Sequence, residues 1–119
     1  MSNFYSAYLE AMEWTECHPD NPELHEASGW SNELLNSSKA DCAAFERDNA
    51  TLLSDAYAYY DYIAEQAGHD FWLTRNGHGA GFWDRGLGNI GDKLTDSAHQ
   101  FGPAVLYTGD DRLIYIYGG

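Results

Sequence analysis

The side chains with the most chemical potential lie in one stretch, residues 68–86, which reads GHDFWLTRNGHGAGFWDRG. It holds His69, Asp70, Arg75, His78 and Asp84. His69, Asp70 and His78 offer the nitrogen and oxygen donors that bind a divalent metal. Their spacing matches no standard zinc signature, and neither a Cys pair nor an HExxH motif accompanies them. No metal and no cofactor is expected. The plainer expectation is that His69 and Asp70 cap a junction. Arg75 and Asp84 would then pair across two strands, and His78 would sit at an exposed turn.

Gly77, Gly79 and Gly81 resemble a nucleotide loop only in spacing. Dinucleotide and Walker A loops connect a strand to a helix within a βαβ context, which is missing here. No Gly-x-Ser-x-Gly elbow is present. Cys17 and His18 are adjacent, but adjacency does not make a dyad. Cys17 and Cys42 are expected to be buried thiols and not a disulfide. An enzyme built on His69, Asp70, Arg75 and His78 has no recognisable set of acid, base and nucleophile, so the expectation is a protein without catalytic residues.

Charge carries more information. The 119 residues hold 19 acids and 6 bases, a formal charge of −13. Residues 1–70 contain 14 of the acids and only two bases, Lys39 and Arg47. A field of this size repels nucleic acid and anionic membranes and attracts basic surfaces. The bland alternative is solubility alone. Glu10, Glu13 and Glu16 are three apart on one helix face. Asp41, Asp48 and Asp55 recur every seven residues, which would align them about 10.5 Å apart along a helix flank. Tyr57, Tyr59, Tyr60 and Tyr62 cannot all face one core. Tyr62 beside Asp55, Asp61 and Glu65 would grip Arg and Lys through cation–π and charge contacts. The expected partner-binding set is therefore Glu10, Glu13, Glu16, Asp41, Asp48, Asp55, Asp61, Glu65 and Tyr62.

These residues need elements to hold them. The length fits a single domain, with an acidic helical part over 1–68 and a β-rich part over 69–119. The recurrence of Phe4, Tyr8 and Met12 predicts a helix over 3–16. The HPDNP breaker follows, and Asn21 with Pro22 is set to start a second helix that runs to about Leu35, with Gly29 able to split it. Ser38 with Asp41 resembles a capping box for a long helix over 39–67, striped by Cys42, Phe45, Asn49, Leu52, Ala56, Tyr59 and Ile63. Gly68 reads as its stop.

Beyond it, 71–74 and 82–83 read as strands around the glycine-rich turn, a β-hairpin. Ile90, Leu94, Ala98 and Phe101 mark a short helix over 89–101. Residues 104–108 and 112–117 form a second hairpin around Gly109-Asp110-Asp111. The fold class expected is α+β: about three N-terminal helices, then hairpin, short helix and hairpin in a small antiparallel sheet. No apolar run is long enough to span a membrane. The N-terminus lacks the basic and apolar regions of a signal peptide, which points to the cytoplasm.

The stretch 68–86, with the terminal hairpin and its Tyr-Thr-Gly-Asp-Asp turn, resembles segments of small, mostly uncharacterised bacteriophage and prophage proteins. The similarity covers about the last 50 residues. It implies a viral or mobile-element origin and transfers no catalytic residue. Phages carry small acidic inhibitors of restriction and CRISPR systems. By that analogy, this chain would be an anti-CRISPR or anti-restriction inhibitor that binds the basic surface of a host nucleic-acid-binding or defence protein by mimicking nucleic-acid charge. It would not contact nucleic acid or membranes directly. The alternative is a non-mimetic interaction or structural accessory module recognised through the aromatic C-terminal part, with a small metal-dependent enzyme a third reading.

Overall fold

The computed structural model describes residues 3–118. Among them are six α-helices and one three-stranded sheet, so the class is α+β with helices dominant. Helix α1, Asn3–Glu16, has the span its periodicity predicts and buries Phe4, Tyr8, Ala11 and Met12. Asn21 does not cap the next helix with its side chain. Its Nδ2 instead donates to the Glu16 carbonyl at 2.9 Å and closes the end of α1. Helix α2 is a single turn, Pro22–His25. The predicted continuation to Leu35 is replaced by a two-residue strand, β1 (Gly29–Trp30), because Gly29 adopts φ 154°.

Helix α3, Asn32–Asp48, starts six residues earlier than Ser38. Its N-cap is Ser31, whose Oγ accepts from the Leu34 N–H at 3.0 Å. Ser38 lies buried inside the helix, so the predicted capping box does not form. The expected single helix also breaks at Asn49. The Asn49 side chain donates to the Phe45 carbonyl at 2.9 Å and to Ser97 Oγ at 2.8 Å. The side chain shares the Phe45 carbonyl with its own backbone N–H, and α4, Ala50–Tyr59, follows as a separate helix. The predicted stripe is buried at Cys42, Phe45, Asn49 and Ala56, but Tyr59 and Ile63 are exposed.

The largest correction is at the predicted first hairpin. Residues 71–74 are not a strand but lie inside α5, Ala64–Arg75. Gly68 is not a stop; it sits within α5, where a methyl group would overlap the Phe4 carbonyl oxygen of α1. Glycine there lets the two helix backbones touch. Helix α5 is central, with Ala67, Gly68 and all residues from Asp70 to Arg75 buried. Such a helix shows no amphipathic period, and its contiguous Phe-Trp-Leu-Thr run mimics a strand. Residues 76–81 form turns, and Phe82–Asp84 a short 3-10 turn with Phe82 buried and Trp83 exposed.

Helix α6, Asn89–Gln100, buries Leu94 and Ala98 as predicted and ends where Gly102 takes φ 74°. Strands β2 (Val105–Thr108) and β3 (Leu113–Tyr117) form the predicted C-terminal hairpin, pairing Val105 with Tyr117 and Thr108 with Ile114. The sheet is mixed and not purely antiparallel: β3 is central, and β1 pairs with it in parallel. The core is aromatic, centred on Phe45 stacked on Phe71 at 4.2 Å, with Phe4, Tyr8, Phe82 and Phe101 around them. No helix of the described residues is long and apolar enough to cross a membrane.

Candidate functional site

Two ion pairs, each with one fully buried member, fix the geometry around α5. Arg75 is fully buried and spends its guanidinium on four partners. Nη1 donates to Asp41 at 2.8 Å and to the Tyr8 hydroxyl at 3.0 Å; Nε and Nη2 donate to the Gly102 and Phe101 carbonyls at 2.9 and 3.1 Å. The side chain also lies over the Phe71 and Phe101 rings, 5.6 and 5.7 Å from their centroids. One cation thus ties α1, α3 and the end of α6 to α5. The second pair is Asp70 and Arg85. Asp70 is completely buried, accepts from Arg85 Nε at 3.1 and 3.0 Å and from Nη2 at 2.8 Å, and takes the Tyr62 hydroxyl at 2.6 Å. Burial first, then the adjacent Asp70, pushes the Tyr62 phenol far above its ordinary range.

These pairs overturn several expectations. Arg75 pairs with Asp41 and not with Asp84, because α5 is a helix and no second strand runs beside it. Asp70 does not cap a junction. Tyr62 is buried and unable to grip a partner, because its hydroxyl is needed to satisfy Asp70. Asp41 is turned to the interior. Asp48 ends α3 and lies against Arg47 at 3.4 Å, while Asp55 is on α4. The break at Asn49 therefore separates the predicted row of Asp41, Asp48 and Asp55. Of the four tyrosines over 57–62, the two exposed are Tyr59, 80% exposed at the end of α4, and Tyr60 in the connection, where Asp61 and Ile63 are exposed as well, with Glu65 exposed at the start of α5.

The surface where α1 faces α5 brings other groups together. Trp14 projects from α1 with 69% of its area exposed, and its ring lies 5.7 Å from that of His69 on α5. The base of this contact is pinned, since Trp72 Nε1 donates to Thr15 Oγ1 at 2.8 Å. Trp14, His18 and His69 line two adjoining concavities. One is a groove of about 450 Å³ that adds Glu10, Glu13 and Cys17. The other is a cleft of about 670 Å³ that adds Leu73, His78 and Arg85 together with the small residues Gly79 and Ala80 and Thr15. Glu16 stands at its edge, 3.7 Å from His78 Nε2.

Most of the larger cleft is built by the stretch 68–86. His69 and His78 converge there as the sequence hinted, but Asp70 turns away to Arg85, so the three candidate ligands do not meet. Among the described residues, no group of three or more His, Cys, Asp or Glu is placed to hold a metal ion. Cys17 is a poor nucleophile. Burial first, then Glu13 and Glu16, push its thiol up to about 11. Trp14 and His18 were not singled out as binding residues by the sequence. An indole next to Glu13, on the face away from Tyr8 and Met12, was the available signal.

No protein-family model matches the chain, and no curated protein or solved structure matches it significantly.

Proposed function

We propose that the chain is an acidic binding protein that docks on a basic surface of a bacterial nucleic-acid-binding or defence protein and inhibits it by occupying that surface. The observation that carries this is the groove in which Glu10 and Glu13 stand against the exposed Trp14. Two carboxylates beside an indole face make a receptor for a guanidinium or ammonium group, which gains both charge and cation–π attraction. Exposed Trp and Tyr are the commonest anchors of protein interfaces. The charge of −13 steers a basic partner from a distance. Tyr59, Tyr60, Asp61 and Glu65 offer a second acidic and aromatic contact of the same kind. A phage or prophage origin, a host target and an anti-restriction or anti-CRISPR role belong to the same proposal and rest on analogy alone. Mimicry of a phosphate row by Asp41, Asp48 and Asp55 is not part of this proposal. Charge mimicry resides instead in the overall field and in Glu10, Glu13 and Glu16.

The test is affinity capture from a bacterial lysate at low salt, followed by quantitative binding with the captured protein. Glu10→Gln with Glu13→Gln is expected to weaken binding about tenfold or more, as for truncating an interfacial charge. Affinity should fall steeply as salt rises from about 50 to 300 mM. Binding that is unchanged by both the double substitution and the salt refutes the proposal.

A second reading, a non-mimetic interaction module, is favoured by the outer face of the β2–β3 hairpin. Val105, Tyr107 and Tyr117 are exposed there, with Tyr107 stacked on Tyr115 at 5.7 Å. Loss of partner binding in Tyr107→Ser with Tyr117→Ser, together with retention in the Glu10/Glu13 variant, selects it.

A further inference from the structure

The larger cleft differs in chemistry from the acidic groove, although Trp14 walls both. Its volume, about 670 Å³, is that of a small-molecule site. It is also preformed. Trp14 and His69 sit on α1 and α5, whose backbones meet at Phe4 and Gly68 and are joined again by Trp72 and Thr15. Leu73 and Ala80 supply apolar walls. A flat ring would therefore find an aromatic surface and aliphatic packing already in place.

The polar groups say which ring. Arg85 uses Nε and Nη2 on Asp70, and no hydrogen bond within the described residues uses its Nη1. Its charge is cancelled by Asp70, yet donors remain. His18 also lines the cleft, its Nδ1 accepting from the Asp20 backbone N–H at 3.3 Å. The cleft thus presents donors in search of acceptors. It does not, however, favour an anion. Asp70 and Asp84 both act on Arg85, Glu16 lies 3.7 Å from His78, and the whole chain carries −13. Surplus donors in a negative field select an acceptor that has no charge, such as a carbonyl oxygen.

We infer that this cleft binds an uncharged, planar heteroaromatic ligand bearing ring carbonyls, the chemistry of a free nucleobase or nucleoside, stacked against Trp14 and His69 with a carbonyl on Arg85 Nη1. The site shares Trp14, His18 and His69 with the groove of the docking proposal but not its carboxylates Glu10 and Glu13, so the Glu10→Gln, Glu13→Gln protein should lose partner binding and keep ligand binding.

The experiment is titration of the full chain with uridine and with guanosine, read by amide and indole NMR shifts. Shifts are expected at Trp14, His69, Leu73 and Ala80. Two analogues separate the terms. Dihydrouridine keeps the carbonyls and loses planarity; uridine 5′-monophosphate keeps the base and adds negative charge. Each should bind at least about fivefold more weakly than uridine, and Trp14→Ala or His69→Ala should cost about tenfold, the scale of one base–aromatic stack. Trp14 is mostly exposed, so its removal leaves the fold intact. The inference is overturned if neither uridine at about 10 mM, enough to populate a site of millimolar Kd, nor guanosine near saturation shifts these resonances. Shifts confined to another surface, a monophosphate that binds as well as uridine, or binding indifferent to both Trp14→Ala and His69→Ala overturn it equally.

Discussion

Replacing Gly68 with alanine tests the central packing of this protein, because two well-understood effects predict opposite signs. On an exposed helix the change should stabilise by about 1 kcal/mol, the difference in helix propensity. Here the new methyl would overlap the Phe4 carbonyl oxygen and lie 2.8 Å from the Phe4 carbonyl carbon. Carbon and carbonyl oxygen sit comfortably at about 3.3 Å or more. Both obstructing atoms are backbone, so no rotamer change relieves the clash, and α1 must move off α5. That movement loosens Tyr8 from Phe71 and Trp72, which it now meets at 5.2 and 5.4 Å. The cost belongs at the upper end of overpacking, roughly 3 kcal/mol. After the propensity gain, about 2 kcal/mol of destabilisation remains, or about 8 °C in Tm for a domain of this size. Gly79→Ala is the control. A methyl there meets nothing within 4 Å, and the melting temperature should stay put. Thermal unfolding followed by circular dichroism reads both. A Gly68→Ala protein that melts at or above the wild-type temperature refutes the close approach of α1 and α5.

Three further outcomes follow from particular side chains. Ser31→Ala removes the N-cap of α3 and should cost about 1 kcal/mol in urea unfolding. Ser38→Ala should instead be neutral or stabilising, since Ser38 Oγ is buried with no hydrogen-bond partner among the described residues; the opposite ranking would restore Ser38 as the cap. With Cys17 pushed up to about 11, about one molecule in a thousand carries its thiolate at pH 8, and burial pushes the Cys42 thiol higher still. Both thiols should therefore react with a thiol reagent slowly when native and fully in denaturant, and fast native modification would contradict the packing. At the hairpin turn, Tyr115 donates to Asp111 at 2.6 Å, which holds the Asp111 carboxyl below its usual range and pushes the Tyr115 phenol up to about 12. A lowered carboxyl contributes stability above its unfolded pKa and loses it as pH falls through the folded one. A raised phenol contributes below its unfolded value of 10.0 and loses it as pH rises through about 12. The melting-temperature gap between wild type and Tyr115→Phe should thus be present at neutral pH and close at both strongly acid pH and above about pH 12. A gap that is flat across this range argues against the bond.

The sequence alone determined those elements whose signals are local. Helix α1 and helix α6 each bury one stripe against the core and expose the other, so their spacing announces them. The β2–β3 hairpin is announced by alternation around a Gly-Asp-Asp turn. The acidity of the N-terminal half, and Glu10 and Glu13 on an outward face of α1, were legible for the same reason. Tertiary structure alone decided the centre. Helix α5 is buried at every residue from Asp70 to Arg75, so burial erases the periodicity that would reveal it, and Phe71, Trp72 and Leu73 look like strand residues until α1 and α6 pack against them. Partners for buried charge are equally invisible locally. Asp41 is drawn inward by Arg75, 34 residues away, and Tyr62 by Asp70, because an unpaired charge in the core costs far more than an exposed acid gains. The site follows the same division: the sequence marked the stretch 68–86 as chemically distinctive, and the packing of α1 across α5 decided that His69, His78 and Arg85 share a cleft with Trp14.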